Sequence, residues 1–166
     1  MADTRLKALL VDDDEDVQAM LAYYLAEIVP DLNLHYRASP KVEADYDLYL
    51  IDNDFGGRQV GADLATRARE MSPNSLVVAY SSKLDRDLLK KLINASCDGA
   101  FDKADPEDVK EMLRLIEGFV AQLQRERRGR SDGPVEMLRE MGQLFRSWDQ
   151  RLSKEENSAM QARHAK

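Results

Sequence analysis

The sequence predicts an α/β fold: a five-stranded, parallel, doubly wound sheet followed by a C-terminal helical extension. Three observations carry the prediction. Apolar runs of strand length recur at Leu6 to Val11, Leu32 to Tyr36, Leu48 to Ile51, Leu76 to Tyr80 and, more weakly, Gly99 to Phe101. Segments with helical spacing lie between most of them, and such alternation implies right-handed crossovers and a sheet covered on both faces. The runs end on acids, hydroxyls or a lysine: Asp12-Asp13-Asp14, Asp52, Ser81-Ser82 and Asp102-Lys103.

After the first strand, Val17, Met20, Leu21, Tyr24, Leu25 and Ile28 mark one face of a helix. The interval from Arg37 to Tyr46 is tight, so the second crossover predicts a helix of only one or two turns, starting near Ser39-Pro40. Leu88, Leu89, Leu92 and Ile93 predict a helix beginning near Leu84, with Ser82 as its cap. From Asp105, an N-cap, and Pro106, the first helical position, Val109, Met112, Ile116, Phe119 and Leu123 repeat at 3 and 4 spacing to about Arg127.

Domain boundaries follow. Residues 4–125 form the α/β domain. Residues 126–134 form a linker or turn, within a basic, Gly- and Pro-containing run, RERRGRSDGP. Residues 135–153 form an amphipathic helix with Leu138, Met141, Phe145, Trp148 and Leu152 on one face, and 154–166 a polar tail. An isolated helix of that length is marginal in water and needs a covering surface, so this stripe is the expected partner contact, with Trp148 as its anchor. It would dock back on the domain, pair with the preceding helix or self-associate.

Composition narrows the function. With 166 residues, 43% hydrophobic and 33% charged, the chain can bury a core. A net charge of −7 and the lack of a DNA-reading module argue against nucleic-acid binding, and leave RERRGR as helix-end compensation and linker. The single cysteine, Cys97, excludes an intrachain disulfide framework and reads as a small buried side chain. No stretch approaches the roughly 18 apolar residues of a membrane span, and MADTRLKALLVDDDED lacks a signal-peptide core. A cytoplasmic location and no membrane partner are the expectation. His35 and His164 lack the spacing of a metal pair, and GGRQVG lacks the lysine of a phosphate loop.

In a doubly wound sheet ligands sit beyond the carboxyl ends of the strands, so the acids, serines and lysine should share one rim. Two carboxylates about 5 Å apart repel by roughly 3 kcal/mol at an effective dielectric near 20, so such a cluster calls for protons, lysine or a metal. Hard oxygen donors favour Mg²⁺, and a carboxylate beside a cation suits phosphoryl transfer. Taken singly, each residue has a plainer reading: a helix N-terminus for Asp12 to Asp14, a turn for Asp52, a helix cap for Ser81 and Ser82, a surface charge for Lys103. Their ordered recurrence at strand ends favours a site.

The VDDDED run, the LYLID strand, the VVAYSS strand and GAFDK together resemble the receiver domain of two-component response regulators, over about residues 4 to 125. The resemblance implies the flavodoxin-like receiver fold and a phosphoacceptor role for Asp52. It also implies Mg²⁺ binding by Asp12, Asp13 and the Asp54 backbone carbonyl. Ser81 falls at the switch position, and Lys103 at that of the phosphate-contacting lysine. Asp54 and Lys83 occupy positions that tune phosphoryl lifetime and could pair as a salt bridge. A histidine kinase or phosphotransfer protein is then the expected phosphodonor, and the chain is not an enzyme beyond its own phosphorylation and autodephosphorylation.

Departures from the pattern bear on the readout. Ala104 follows the lysine where the family usually has Pro, and Ala100 replaces the aromatic switch residue. Gly56-Gly57 stands where Pro-Gly is common. Two other functions stay open: a receiver-like scaffold indifferent to phosphate, and a haloacid-dehalogenase-like phosphatase, since LYLIDNDFGG also resembles that family's Asp-x-Asp strand. In the latter Asp52 would be nucleophile and Asp54 general acid/base.

Overall fold

A computed structural model describes residues 5–127 of the chain. The expected amphipathic helix, with Leu138, Met141, Phe145, Trp148 and Leu152, and the polar tail lie outside the described residues, as does most of the expected linker. Among the described residues, no helix is long and apolar enough to cross a membrane.

Five strands pair in parallel in the order β2-β1-β3-β6-β7. They are β1 (Lys7–Val11), β2 (Asn33–Arg37), β3 (Leu48–Asp52), β6 (Leu76–Ser81) and β7 (Gly99–Asp102). The helices are α1 (Glu15–Ile28), α2 (Gly61–Met71), α3 (Arg86–Asn94) and α4 (Pro106–Arg127). This is the flavodoxin-like order, in which the strand numbering reverses direction between β1 and β3, at the place where such folds bind ligands. The core is continuous through Leu9, Leu10, Leu50, Ile51, Val77 and Val78, all sealed from solvent. Parallel strands buried on both faces read as unbroken apolar runs, which is why they stood out in the sequence.

The starts of α1, α3 and α4 follow side-chain chemistry. Asp14 caps α1, its carboxylate accepting from the Asp16 and Val17 N–H groups. Asp105 accepts from the Glu107 N–H at 2.9 Å, and Pro106 opens α4. At α3 the cap is Asp85 rather than Ser82: its side chain accepts from the Leu88 N–H at 2.8 Å and the helix begins at Arg86. Asp85 has the extended backbone a cap requires, whereas Ser82 is too far upstream to reach the first turn.

The expected short helix between β2 and β3 is absent. Residues 38–47 form a non-helical crossing, with Asp45 in the left-handed region at φ 69°. The segment offers few apolar residues at helical spacing, and aromatic rings do the covering instead. His35, Tyr46 and Tyr49 stack edge to face with centroids 5.4 and 5.8 Å apart. The Tyr46 hydroxyl lies 2.7 Å from His35 Nδ1, and the Tyr49 hydroxyl donates to the Glu43 carbonyl at 2.6 Å.

A small hairpin, β4 (Asp54–Phe55) and β5 (Arg58–Gln59), follows β3 directly. Its two-residue turn is Gly56-Gly57, at φ 54° and 78°. Positive φ at both central positions is what a tight hairpin of matching twist needs, and glycine meets it without strain.

Candidate phosphoryl-acceptor and metal site

Asp12 follows β1 directly and is fully buried. Its backbone N–H donates to the Arg37 carbonyl at 3.0 Å, extending the pairing with β2. One side-chain oxygen, Oδ1, accepts from the Asp14 N–H at 2.8 Å. The acidic run therefore divides its labour: Asp14 serves the helix end, while Asp12 and Asp13 face the rim.

Asp52 ends β3 and is 2% exposed. The next residue, Asn53, donates its N–H to the Tyr80 carbonyl at 2.9 Å, and the Asp54 N–H donates to Asp52 Oδ1 at 3.2 Å. Carboxylate oxygens of Asp12, Asp13 and Asp52 all lie within 4.8 Å of one another, a group that could hold a metal ion. All are hard oxygen donors, and Asp13 is exposed, leaving water a path to the cluster; this fits Mg²⁺.

Lys103 reaches the same point from the end of β7. Its backbone N–H donates to the Ser81 carbonyl at 2.9 Å, which aims the side chain back across the rim. Its Nζ is 3.2 Å from Asp52 Oδ1 and 3.7 Å from Asp12 Oδ2. Even so, burial pushes the Asp52 carboxyl up to about 6; Lys103 and the Asp54 N–H oppose the rise and Asp12 adds to it. One ammonium does not fully offset the desolvation of this acid.

Ser81 ends β6 and donates its hydroxyl to Asp54 Oδ2 at 2.7 Å, while the Lys83 N–H approaches Ser81 Oγ at 3.3 Å. Among the described residues, Asp54 forms no ion pair with Lys83. Its carboxylate is held by the Ser81 hydroxyl, which lies nearer than the lysine head group.

Sequence reasoning passed over two residues here. Tyr80, one position before Ser81, donates its hydroxyl to Asp12 Oδ2 at 2.9 Å, and Lys103 Nζ sits 5.2 Å from its ring centre. Burial, with Asp12 beside it, drives the Tyr80 phenol well above its usual range, so it remains a donor. The available signal was a tyrosine inside an otherwise apolar strand, whose hydroxyl had to find a partner. Asn53 is the second. Its Oδ1 accepts from the Gly61 N–H at 3.3 Å, and a Cβ at Gly61 would lie 2.8 Å from that same atom, so the glycine lets α2 start against the end of β3.

Ala100 is fully buried in β7, paired with Ala79, and no peptide bond is cis among the described residues, the Lys103–Ala104 bond included.

No protein-family model and no curated protein sequence matches the chain. Solved structures do. The signal receiver domain of an HD domain-containing protein from Pseudomonas fluorescens Pf-5 superposes with a TM-score of 0.61 at 20% identity, covering 77% of this chain and 96% of that one. The BeF3-activated DrrB receiver domain gives 0.60 at 16% identity, covering 71% and 99%. A CheY-like receiver domain protein from Methanospirillum hungatei JF-1 gives 0.58 at 18%, covering 74% and 99%. The described part of the chain thus has the fold of response-regulator receiver domains, in a sequence far diverged from these three.

Proposed function

We propose that the chain is a phosphoacceptor receiver of a two-component or phosphorelay system. One observation supports this above the others: a buried carboxylate, Asp52, with Lys103 Nζ at 3.2 Å and the oxygens of Asp12 and Asp13 within 4.8 Å. An Asp52 oxygen attacks the phosphorus of a phosphohistidine on a histidine kinase or phosphotransfer protein. The O–P bond forms as the P–N bond breaks, and the imidazole leaves with its proton.

Asp12 and Asp13, with the Asp54 carbonyl, would hold Mg²⁺, which offsets negative charge on the transferring oxygens when bound. Lys103 supplies the fixed positive charge on the other side. The Ser81 hydroxyl, now donating to Asp54, is placed to turn toward a phosphoryl oxygen, and Asp54 and Lys83 then govern the access of water to the acyl phosphate. The output is a protein contact through the C-terminal helix rather than a DNA contact.

A second reading has one observation in its favour. With Ala100 buried in β7 there is no ring at that position to report on Ser81, as expected of a scaffold indifferent to phosphate. The phosphatase reading fares worse, since it leaves Asp12 and Asp13 idle although they lie beside Asp52.

The experiment is incubation with Mg²⁺ and acetyl phosphate or phosphoramidate, read by intact mass. The wild type should gain one phosphoryl group and Asp52→Ala none. Equal labelling of the two, or none in either, removes the reading.

A further inference from the structure

Asp12 has little freedom. Its Oδ1 is taken by the Asp14 N–H at 2.8 Å, and its Oδ2 by the Tyr80 hydroxyl at 2.9 Å, with Lys103 Nζ 3.7 Å from the same oxygen. Among the described residues, the Tyr80 hydroxyl is the one uncharged side-chain donor to the Asp12 carboxylate, and it arrives from β6, across β3, over a sequence separation of 68 residues. Tyr80 also lines a small pocket with Val17, Met20 and Leu21 of α1, Met112 of α4, and Asp102 and Lys103 at the end of β7. Tyr80 thus stands between residues of two helices and the acidic rim, which its hydroxyl reaches.

We propose that Tyr80 is a positioning residue for the divalent cation: its hydroxyl orients the fully buried Asp12 carboxylate so that it shares a ligand with Asp13 and Asp52. This rests on the reading of the rim as a Mg²⁺ site. Partners that hold a metal ligand from behind fix its plane before the metal arrives, and losing one typically weakens binding about 10- to 100-fold. A tyrosine suits the task here. Its O–H can donate without adding a positive charge that would repel the incoming cation, and its ring also flanks the Lys103 ammonium.

The test separates hydroxyl from ring. Tyr80→Phe keeps the packing against α1 and α4 and the face offered to Lys103, and removes only the donor. Tyr80→Leu removes both. Mg²⁺ binding is measured by calorimetry on the full chain, with thermal unfolding in EDTA as the control for folding. Wild type should bind Mg²⁺ and Asp12→Asn should not. Tyr80→Phe should bind at least tenfold more weakly, with a melting temperature in EDTA close to that of wild type, while Tyr80→Leu should lose both affinity and stability. Wild-type affinity in Tyr80→Phe, or tighter binding, overturns the positioning role and leaves the metal site standing. No Mg²⁺ binding by the wild type removes the site and the proposal with it.

Discussion

β3 and β2 both pair with β1, yet one is buried along its whole length and the other is largely open to solvent. β3 reads LYLID, β2 reads NLHYR. The interior strand can carry an acid at its end because the Asp54 N–H just beyond it and Lys103 from the end of β7 both reach the Asp52 carboxylate. The edge strand has a neighbour on one side only, and its polar residues blunt the free edge. It lends the rim one carbonyl, that of Arg37, and no side chain. The acids of the rim thus come from the two-sided strands β1 and β3, while the β2 edge is where the fold does without a crossover helix.

Four substitutions probe that contrast, from the largest expected effect down. Ile51→Ala, at a fully buried position of β3, should cost about 2–5 kcal/mol in urea unfolding, whereas Tyr36→Ala on β2, 43% exposed, should cost under about 1 kcal/mol. Similar losses at the two positions would erase the distinction.

Asp52→Asn should act in the opposite direction. With its folded-state value at about 6 against an ordinary 3.8, the folded chain keeps a proton the unfolded chain releases, so stability falls as pH rises from about 4 to about 6 and then levels off. At about 1.36 kcal/mol per unit, the charged acid costs up to about 3 kcal/mol at neutral pH, and the amide removes that cost. In EDTA at pH 7.5 the variant should be the more stable form, and its advantage should shrink as pH is lowered toward 4. A gap that does not change with pH would mean that desolvation of Asp52 is not its source.

Smallest is Tyr46→Phe, in the crossing 38–47. Losing the hydroxyl bond to His35 at a solvent-exposed site should cost about 0.5–1 kcal/mol. A larger loss would show that this bond, rather than the stacking of the rings, holds the crossing in place.

The fold could be read from the sequence wherever burial is continuous. All five strands fall within a residue or two of the apolar runs, and α1 and α4 follow from their stripes. The hairpin at Asp54 to Gln59 escaped because strands of two residues have no periodicity, although Gly56-Gly57 between them was a turn signal. The helix expected near Pro40 came from the rule that parallel crossovers usually contain one; here side chains at scattered positions cover the sheet, and no periodicity announces that. At the site, strand ends brought Asp12, Asp13, Asp52 and Lys103 to one point as the topology required. Tyr80 was hidden because an apolar strand pattern does not say where a phenol points, and the exchange of Lys83 for Ser81 as the partner of Asp54 depends on side-chain reach rather than order.

The tie between Tyr80 and Asp12 also bears on how the chain folds. It spans the end of β3, joining a strand near the amino terminus to one beyond the middle of the domain, and Lys103 arrives later still, after β7. Until those last strands dock, Asp12 and Asp52 face each other without their lysine, and contacts so distant in sequence are slow to form. The amino-terminal half of the domain cannot close its own rim. The clustered acids are thus a repulsive element while the sheet is incomplete, and the arrival of Lys103 after β7 relieves part of that repulsion.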